Sequence, residues 1–186
     1  MEIKIELKDE AVKKALSDLG GKVKDPSPVM KAIGEYMLRS TEDRFRSQGP
    51  APDGTPWAPL SRSTLRRKKH RKILTETTAL RSSIHYQLMG QAAVAVGTGR
   101  NIPYAAIQQL GGAIKHKARS LTLAFTGKGR FMSRRAAGKQ KSGAVRVAFA
   151  AIGAHETRIP ARSYIGVSEK DSAWIVNRIN QYLAAR

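Results

Sequence analysis

Apolar side chains recur at two different spacings in the N-terminal part of the chain. Residues 3–7, IKIEL, alternate apolar and charged side chains, which predicts a half-buried strand. Residues 11–19 and 29–46 instead carry apolar side chains at helical spacing. We expect Gly20-Gly21 and Gly49-Pro50 to end these two helices, since glycine and proline interrupt a regular helix.

Residues that typically cap helices precede each long helical stretch. Asp9 is placed to cap the first helix, and Ser27 with Pro28 predicts an N-cap followed by the first helical residue of the second. Near the C-terminus, Ser168 precedes a third stretch with Asp171 three residues later, the spacing of a capping box. The apolar face of this last helix is formed by Trp174, Ile175, Ile179, Tyr182 and Leu183.

Residues 49–60, GPAPDGTPWAPL, hold four prolines and two glycines. This composition predicts a loop with a tight turn at Asp53-Gly54. We expect Trp57 and Leu60 to hold the loop against the body of the protein. Ser61 or Ser63 is expected to cap a short basic helix that runs through Lys72.

The second half of the chain has the pattern of β structure. Residues 84–88 and 94–96 alternate around Gly90-Gln91, which predicts a hairpin. Residues 121–125 and 145–149 alternate in the same way and predict two further strands. Two other segments complete the pattern: a short helical turn at 104–110, stopped by Gly111-Gly112, and a stretch rich in Gly, Ser, Lys and Arg at 126–143, which we interpret as a mobile arm or an extended hairpin tip.

Together these elements predict an α+β fold. N-terminal amphipathic helices and a C-terminal helix would pack on an antiparallel β-sheet, with a long basic loop between two strands. The 186 residues suit a single domain, with the mobile basic arm at about 126–143.

Charge and composition narrow the class of protein. The chain has 34 Lys and Arg against 14 Asp and Glu, a formal net charge of +20, and no cysteine. The missing cysteines exclude a disulfide framework and any Cys-ligated metal site. No apolar run is long enough to span a bilayer, and the charged, alternating N-terminus is unlike a signal peptide. We therefore expect a basic globular protein with no membrane partner.

The positive charge is concentrated in two clusters, and no acidic residue occurs between Glu76 and Glu156. Such clusters are typical of surfaces that face a polyanion, although a solvated face that keeps the protein soluble is the alternative. We expect the two clusters to face DNA or an acidic partner. They comprise Arg62, Arg66, Arg67, Lys68, Lys69, Arg71 and Lys72, and then Lys128, Arg130, Arg134, Arg135, Lys139 and Lys141.

Catalytic motifs are not found in the sequence. The four histidines have no metal-ligand spacing, and no cofactor loop or nucleophile elbow is present. Glu42 and Asp43 are expected to pair with Arg39 and Arg46 along a helix. Glu76, beside a Ser/Thr cluster, is expected to serve in capping. The sequence thus predicts no cofactor, no metal and no enzymatic activity.

Four segments, in order, resemble the phage virion morphogenesis (tail completion) family of Mu-like tailed bacteriophages and prophages. They are PDGTPWAPLS at 52–61, ILTETTALRSSI at 73–84, VAVGTGRNIPYAAIQQLGG at 94–112 and IPARSYIGVSEKD at 159–171. Three positions depart from the family pattern: Ala79 stands where glycine is usual, Gln108 where histidine is frequent, and Ser163 where proline is frequent. The glutamine argues against a catalytic role at that position.

The resemblance implies a structural protein of the virion, made in the host cytoplasm, that acts at the head–tail junction, the neck or the tail end. Such proteins work as homo-oligomeric rings, for example hexamers, in contact with other phage head, neck or tail proteins and close to genomic DNA. We expect subunit or partner contacts to be formed or supported by Trp57, Leu60, Tyr104, Ile107, Leu110, Arg162 and Tyr164. For Trp57, a purely internal role in the core is the open alternative.

Two other functions compete with this interpretation. A basic protein that coats or packages nucleic acid would bind duplex DNA tightly, with an affinity that falls steeply as salt rises. A nuclease or other enzyme would need a cluster of metal-binding acids, and the acid-free stretch from Thr77 to His155 argues against one.

Overall fold

The computed structural model of the chain describes residues 10–22, 25–99, 101–125, 131–132 and 146–185. Its helices are α1 (Glu10–Lys22), α2 (Ser27–Ser47), α3 (Arg62–Arg67), α4 (Ala79–Ser82), α5 (Ala105–Leu110) and α6 (Glu169–Ala184). Its strands are β1 (Ile84–Leu88), β2 (Val94–Thr98), β3 (Gly112–His116), β4 (Arg119–Phe125), β5 (Phe131–Met132), β6 (Arg146–Ile152) and β7 (His155–Ile159). Helices and antiparallel strands in this arrangement confirm the predicted α+β class.

Three helices, α1, α2 and α6, enclose the first hydrophobic cluster. The apolar stripe of each helix faces the other two, as the helical spacing in the sequence predicted. Its buried members include Val12, Leu19, Met30, Ile33 and Ile179. Burying one large aliphatic side chain stabilises a fold by about 1.5–3 kcal/mol, so this cluster fixes the three helices against one another.

Helix boundaries differ from the predictions in three places. The first helix continues through Gly20-Gly21 to Lys22. Ser27 is the first residue of α2, and the N-cap is Pro26. The backbone N–H of Ser27 donates to Asp25 Oδ1 at 3.0 Å. Helix α3 ends at Arg67, five residues before the predicted end.

The predicted hairpin is present and packs against α2. Strands β1 and β2 pair antiparallel, with Ile84 opposite Thr98 and Leu88 opposite Val94. Gly34 of α2 has no side chain at the point of closest approach. A Cβ placed there would lie 2.5 Å from Cδ2 of Tyr86, so only glycine lets the helix approach the hairpin this closely.

Apart from the short strand β5, the remaining strands belong to two chain segments that pair with each other. One segment contains β3 and β4, and the other contains β6 and β7. Strand β4 pairs antiparallel with β6, from Arg119 opposite Ile152 to Phe125 opposite Arg146, and β3 pairs with β7. Strands β4 and β6 lie where alternation predicted them, whereas β3 and β7 were not predicted, since GAIKH and HETRI lack clean alternation.

Two predictions concern residues that the structure does not describe. The predicted strand at 3–7 and the capping role of Asp9 lie outside the described residues. The same holds for the predicted mobile arm at 126–143, except that Phe131–Met132 form β5 and pair with the end of β4.

The chain forms two compact units. The first comprises Met1–Gly112 and Pro160–Arg186, and we call it the core unit; the second comprises Ala113–Ile159, and we call it the ribbon unit. The described residues of the core unit include every buried side chain of the described structure. Whether the chain folds as one domain stays a prediction.

Candidate functional site

Three distant segments of the core unit meet around a second hydrophobic cluster. They are the proline-rich loop, helix α5 with its flanks, and the loop between β7 and α6. Phe45 of α2 lies at the centre, with its ring 5.7 Å from Trp57 and 5.4 Å from Tyr164, measured between centroids. The inclined ring geometries are favourable for aromatic pairs. We call this arrangement the motif cluster.

Trp57 anchors the proline-rich loop in the motif cluster through ring packing and a hydrogen bond. Its turn forms as predicted, with the backbone N–H of Thr55 donating to Asp53 Oδ1 at 2.9 Å and Gly54 at a positive φ of 82°. The indole N–H of Trp57 donates to the carbonyl of Ser163 at 2.9 Å. Because the ring is only 6 % exposed, Trp57 packs inside its own subunit.

Gln109 of α5 holds the loop that precedes α6. Its side-chain amide donates to the carbonyl of Ile165 at 2.7 Å, and its oxygen accepts from the backbone N–H groups of Tyr164 and Ile165. Ser163 adds a bond from its hydroxyl to the carbonyl of Gln109. The buried side-chain amide thus satisfies backbone N–H and C=O groups that a neighbouring strand would otherwise bind. These hydrogen bonds fix the loop on α5.

Arg162 joins all three segments. Its Nε donates to the carbonyl of Ala58 at 2.8 Å and its Nη2 to that of Pro59 at 3.0 Å, while its backbone N–H donates to the carbonyl of Gln108. Within the described part of the chain, these hydrogen bonds go to carbonyl and amide oxygens, and no carboxylate forms an ion pair with it. Burial of the guanidinium lowers the pKa of Arg162.

A buried ion pair links α2 to α6 beside the motif cluster. Arg44 donates to the carboxylate of Asp171 and to the carbonyls of Tyr164 and Gly166. Burial alone would raise the pKa of Asp171, but hydrogen bonds from Ser168 and Ser40 and the charge of Arg44 hold it below its usual value. Asp171 also completes the capping box that the sequence predicted with Ser168.

Sequence reasoning assigned Asp171 only to capping and missed Arg44. The available signal was the position of Arg44 on the apolar stripe of α2, in register with Met37 and Thr41. A basic residue on a buried stripe indicates a buried partner.

Tyr164 is fully buried, and its hydroxyl donates to the carbonyl of Ala105 at 3.2 Å. Burial raises the pKa of Tyr164 to about 12.

The predicted contact residues divide into an inner and an outer group. Trp57, Arg162 and Tyr164 are buried in the core unit, so they can support a contact but cannot form its surface. Leu60 and Ile107 are half-buried. Only two members are well exposed, Tyr104 at 41 % and Leu110 at 66 %.

The first basic cluster lies on and after α3. Ser61 caps the helix, with the backbone N–H of Thr64 donating to Ser61 Oγ at 3.2 Å. The helix buries none of its side chains. It ends at Arg67, and Lys68 continues the chain in an extended conformation. The exposed cationic members are Arg62, Arg66, Arg67, Lys69, Arg71 and Lys72.

Lys68 differs from its neighbours. Its ammonium pairs with Glu76 at 3.1 Å, and this cation holds the pKa of the Glu76 carboxyl below its usual value. The predicted capping role of Glu76 is therefore wrong, since its carboxylate binds Lys68 and the backbone N–H of Lys69. The second basic cluster, with Lys128, Arg130, Arg134, Arg135, Lys139 and Lys141, lies outside the described residues.

Other charged pairs and the histidines offer little chemistry. Arg46 pairs with Asp43 as predicted, whereas Arg39 pairs with Glu35 and not with Glu42 or Asp43. Among the described residues, no three His, Asp or Glu side chains come together as metal ligands. None of the described helices has the length and apolarity that crossing a bilayer requires.

Comparison with known proteins identifies a family. The sequence model described as the phage virion morphogenesis family matches residues 7–184, which is nearly the whole chain. The chain matches no curated protein and no solved structure.

Proposed function

The chain belongs to the phage virion morphogenesis family, and from this premise we propose a structural role at the head–tail junction, neck or tail end of the virion. Its role in phage assembly follows from the family. The finer placement, and action as a homo-oligomeric ring such as a hexamer, are our proposal. The protein would be made in the host cytoplasm and retained in the virion.

The motif cluster is the structural feature that most directly supports a structural role. Three of the four segments that resemble the family, at 52–61, 94–112 and 159–171, are far apart in sequence and are held together by the side chains of Trp57, Gln109 and Arg162. The polar groups of this cluster are used in internal hydrogen bonds to the backbone. A site of this kind maintains the shape of a surface and has no free nucleophile or base, which supports a structural role over an enzymatic one.

The outer edge of the cluster supplies a surface for subunit or partner contact. Tyr104, the residue that precedes α5, and Leu110, the last residue of α5, are exposed, and α5 is itself held by Gln109 and Arg162. Exposed aromatic and aliphatic side chains on a rigid support are characteristic of the centres of protein interfaces. Leu60 and Ile107, which are half-buried, would line the same contact.

Genomic DNA passes through the junction between head and tail, and the basic cluster after Ser61 is suited to lie near it. Its exposed cations would attract phosphate groups without reading the base sequence. Other phage head, neck or tail proteins with acidic surfaces are the alternative partners for the same cluster.

A phage or prophage that lacks this chain provides the test. We expect electron micrographs of the lysate to show heads and tails that fail to join into infectious particles, and the chain supplied in trans to restore them. Supply of the Leu110→Asp variant should restore fewer particles than wild type. Particles that assemble normally without the chain would contradict the proposal.

A second candidate function is DNA coating, favoured by helix α3, which buries none of its side chains and exposes all three of its arginines. It requires tight binding to duplex DNA near physiological salt, with a steep loss as salt rises. The assembly role requires only weak binding. A titration of duplex DNA at several salt concentrations separates the two, with the triple variant Arg62→Ser, Arg66→Ser, Arg67→Ser expected to reduce the salt slope.

A further inference from the structure

The β4–β6 ladder of the ribbon unit has no covering layer within the described part of that unit. Every described side chain of the ribbon unit is at least partly exposed. A ribbon of two or three strands without a packed face is marginal in water by itself. Among the described residues of the unit, none supplies a layer that covers the ladder.

Both faces of the ladder expose apolar side chains. The register places Leu121, Leu123 and Phe125 on one face, each only half-buried. Phe149 projects from the opposite face, and it is 81 % exposed, the largest value among the exposed large apolar side chains of the described structure. Single exposed apolar residues are common, but apolar residues on both faces of one ladder indicate an interaction surface.

The described residues at the edge of the ladder lack the features that usually protect an edge strand. Strand β6 lies at one side of the sheet, with β4 as its described neighbour. Its seven residues, RVAFAAI, include no proline and no glycine, and Arg146 at the first position is the single charge. Natural edge strands are usually blunted by charges, proline or bulges, so an unblunted edge is available for pairing with another chain.

Charge decides which kind of partner fits. Residues 120–125 and 147–152 carry no charged side chain, although the chain as a whole has a net charge of +20. DNA or an acidic protein would be drawn to the basic clusters and gains nothing from this uncharged surface. Two copies of a strongly basic chain, in contrast, meet with the least repulsion where both surfaces are uncharged.

We propose that the β4–β6 ladder is the surface through which one copy of the chain binds a second copy. Phe149 lies at the centre of this contact, and the outer edge of β6 in the described sheet pairs with a strand of the neighbouring copy. The inference rests on the proposed function, since it assigns the surface that joins the subunits of the homo-oligomer.

The test compares Phe149→Asp with a matched control, Met89→Asp. Met89 lies in the turn of the β1–β2 hairpin and is 59 % exposed, so both substitutions place a carboxylate on an exposed apolar site. Sedimentation equilibrium at moderately high salt gives the dissociation constant for self-association. We expect Phe149→Asp to raise this constant at least about tenfold, and Met89→Asp to leave it unchanged. Circular dichroism should show the same fold for all three proteins.

A second measurement does not depend on a disruptive substitution. The chain has no cysteine, so Ala151→Cys introduces a single thiol on the face that carries Phe149. An environment-sensitive fluorophore on this thiol should shift to the blue as protein concentration rises, while the same label at Met89→Cys should not shift.

The outcomes separate the inference from the proposed function. A wild-type oligomer that Phe149→Asp leaves intact would overturn the inference and leave the assembly role standing. Equal losses in Phe149→Asp and Met89→Asp would also overturn it, because the effect would not be specific to the ladder. A wild-type chain that stays monomeric at every concentration would overturn both the inference and the proposed self-assembly.

Discussion

The core unit and the ribbon unit are built from the same residue types but use them in opposite ways. In the core unit, Phe45 and Tyr164 are almost completely buried, and even the charges of Arg44 and Asp171 are buried and paired. In the ribbon unit, Phe149 is largely exposed. Among the described residues, the buried side chains that stabilise the fold lie in the core unit, whereas the ribbon unit leaves apolar side chains exposed. Under the proposed function, a second copy of the chain would cover the exposed apolar side chains of the ribbon unit.

The largest effect should follow from breaking the buried ion pair of the core unit. Arg44→Ala leaves Asp171 buried without its cation, and such a loss typically costs about 3–5 kcal/mol. Chemical denaturation would measure the free energy of unfolding. Arg46→Ala is the control, since its pair with Asp43 is exposed and such pairs contribute at most about 1 kcal/mol. Equal losses in the two variants would contradict the importance of the buried pair.

A smaller loss is expected where α2 meets the β1–β2 hairpin. In Gly34→Ala the new Cβ collides with the Tyr86 ring and with Cγ2 of Val94 at 2.9 Å, and overpacking of this kind costs about 1–3 kcal/mol. Gly21→Ala is the matched helical control, because a Cβ there meets nothing within 4 Å. The control should be neutral or slightly stabilising, and thermal unfolding would compare the two.

A still smaller effect, on the order of 1 kcal/mol, is expected from Tyr164 at alkaline pH. Its pKa is raised in the folded state to about 12, so the neutral phenol is favoured by folding. Its contribution to stability is complete below about pH 10, the usual tyrosine pKa, and is lost as pH rises toward 12. Tyr164→Phe should reduce this alkaline loss relative to Tyr104→Phe, which alters an exposed phenol. Identical alkaline profiles in the two variants would disprove the assignment.

The smallest effect on stability is predicted for the ribbon unit. Phe149→Ser should change the free energy of unfolding of the dilute protein by less than about 0.5 kcal/mol, because its ring is already exposed. Phe45→Ala in the core unit should cost about 3–5 kcal/mol. If the two substitutions destabilised the dilute protein equally, the contrast between the units would be wrong.

Local pattern was sufficient to predict the elements whose apolar spacing is regular. The sequence correctly predicted the apolar face of α6 with Ile175 and Ile179, and its capping box at Ser168. It also correctly predicted strands β4 and β6. Each of these features depends on residues close together in sequence or on simple alternation.

Long-range partners could not be predicted in the same way. Arg44 and Asp171 are 127 residues apart, and nothing in either local segment specifies the other. Strands β3 and β7 carry charged and histidine residues on a ribbon without a buried face, so their sequence shows no apolar alternation. The location of Trp57 could not be predicted either, since an aromatic residue in a proline-rich loop packs equally well in an interface or in a core.

Amide hydrogen exchange at two protein concentrations tests the central claim most directly, namely that the core unit is stable alone and the ribbon unit is covered by a second copy. Protection in α2 and α6 should be the same in dilute and concentrated samples. Protection in β4 and β6 should be low in the dilute sample and rise with concentration. A ladder with equal protection in both samples, or a core unit that becomes protected only at high concentration, would contradict the account.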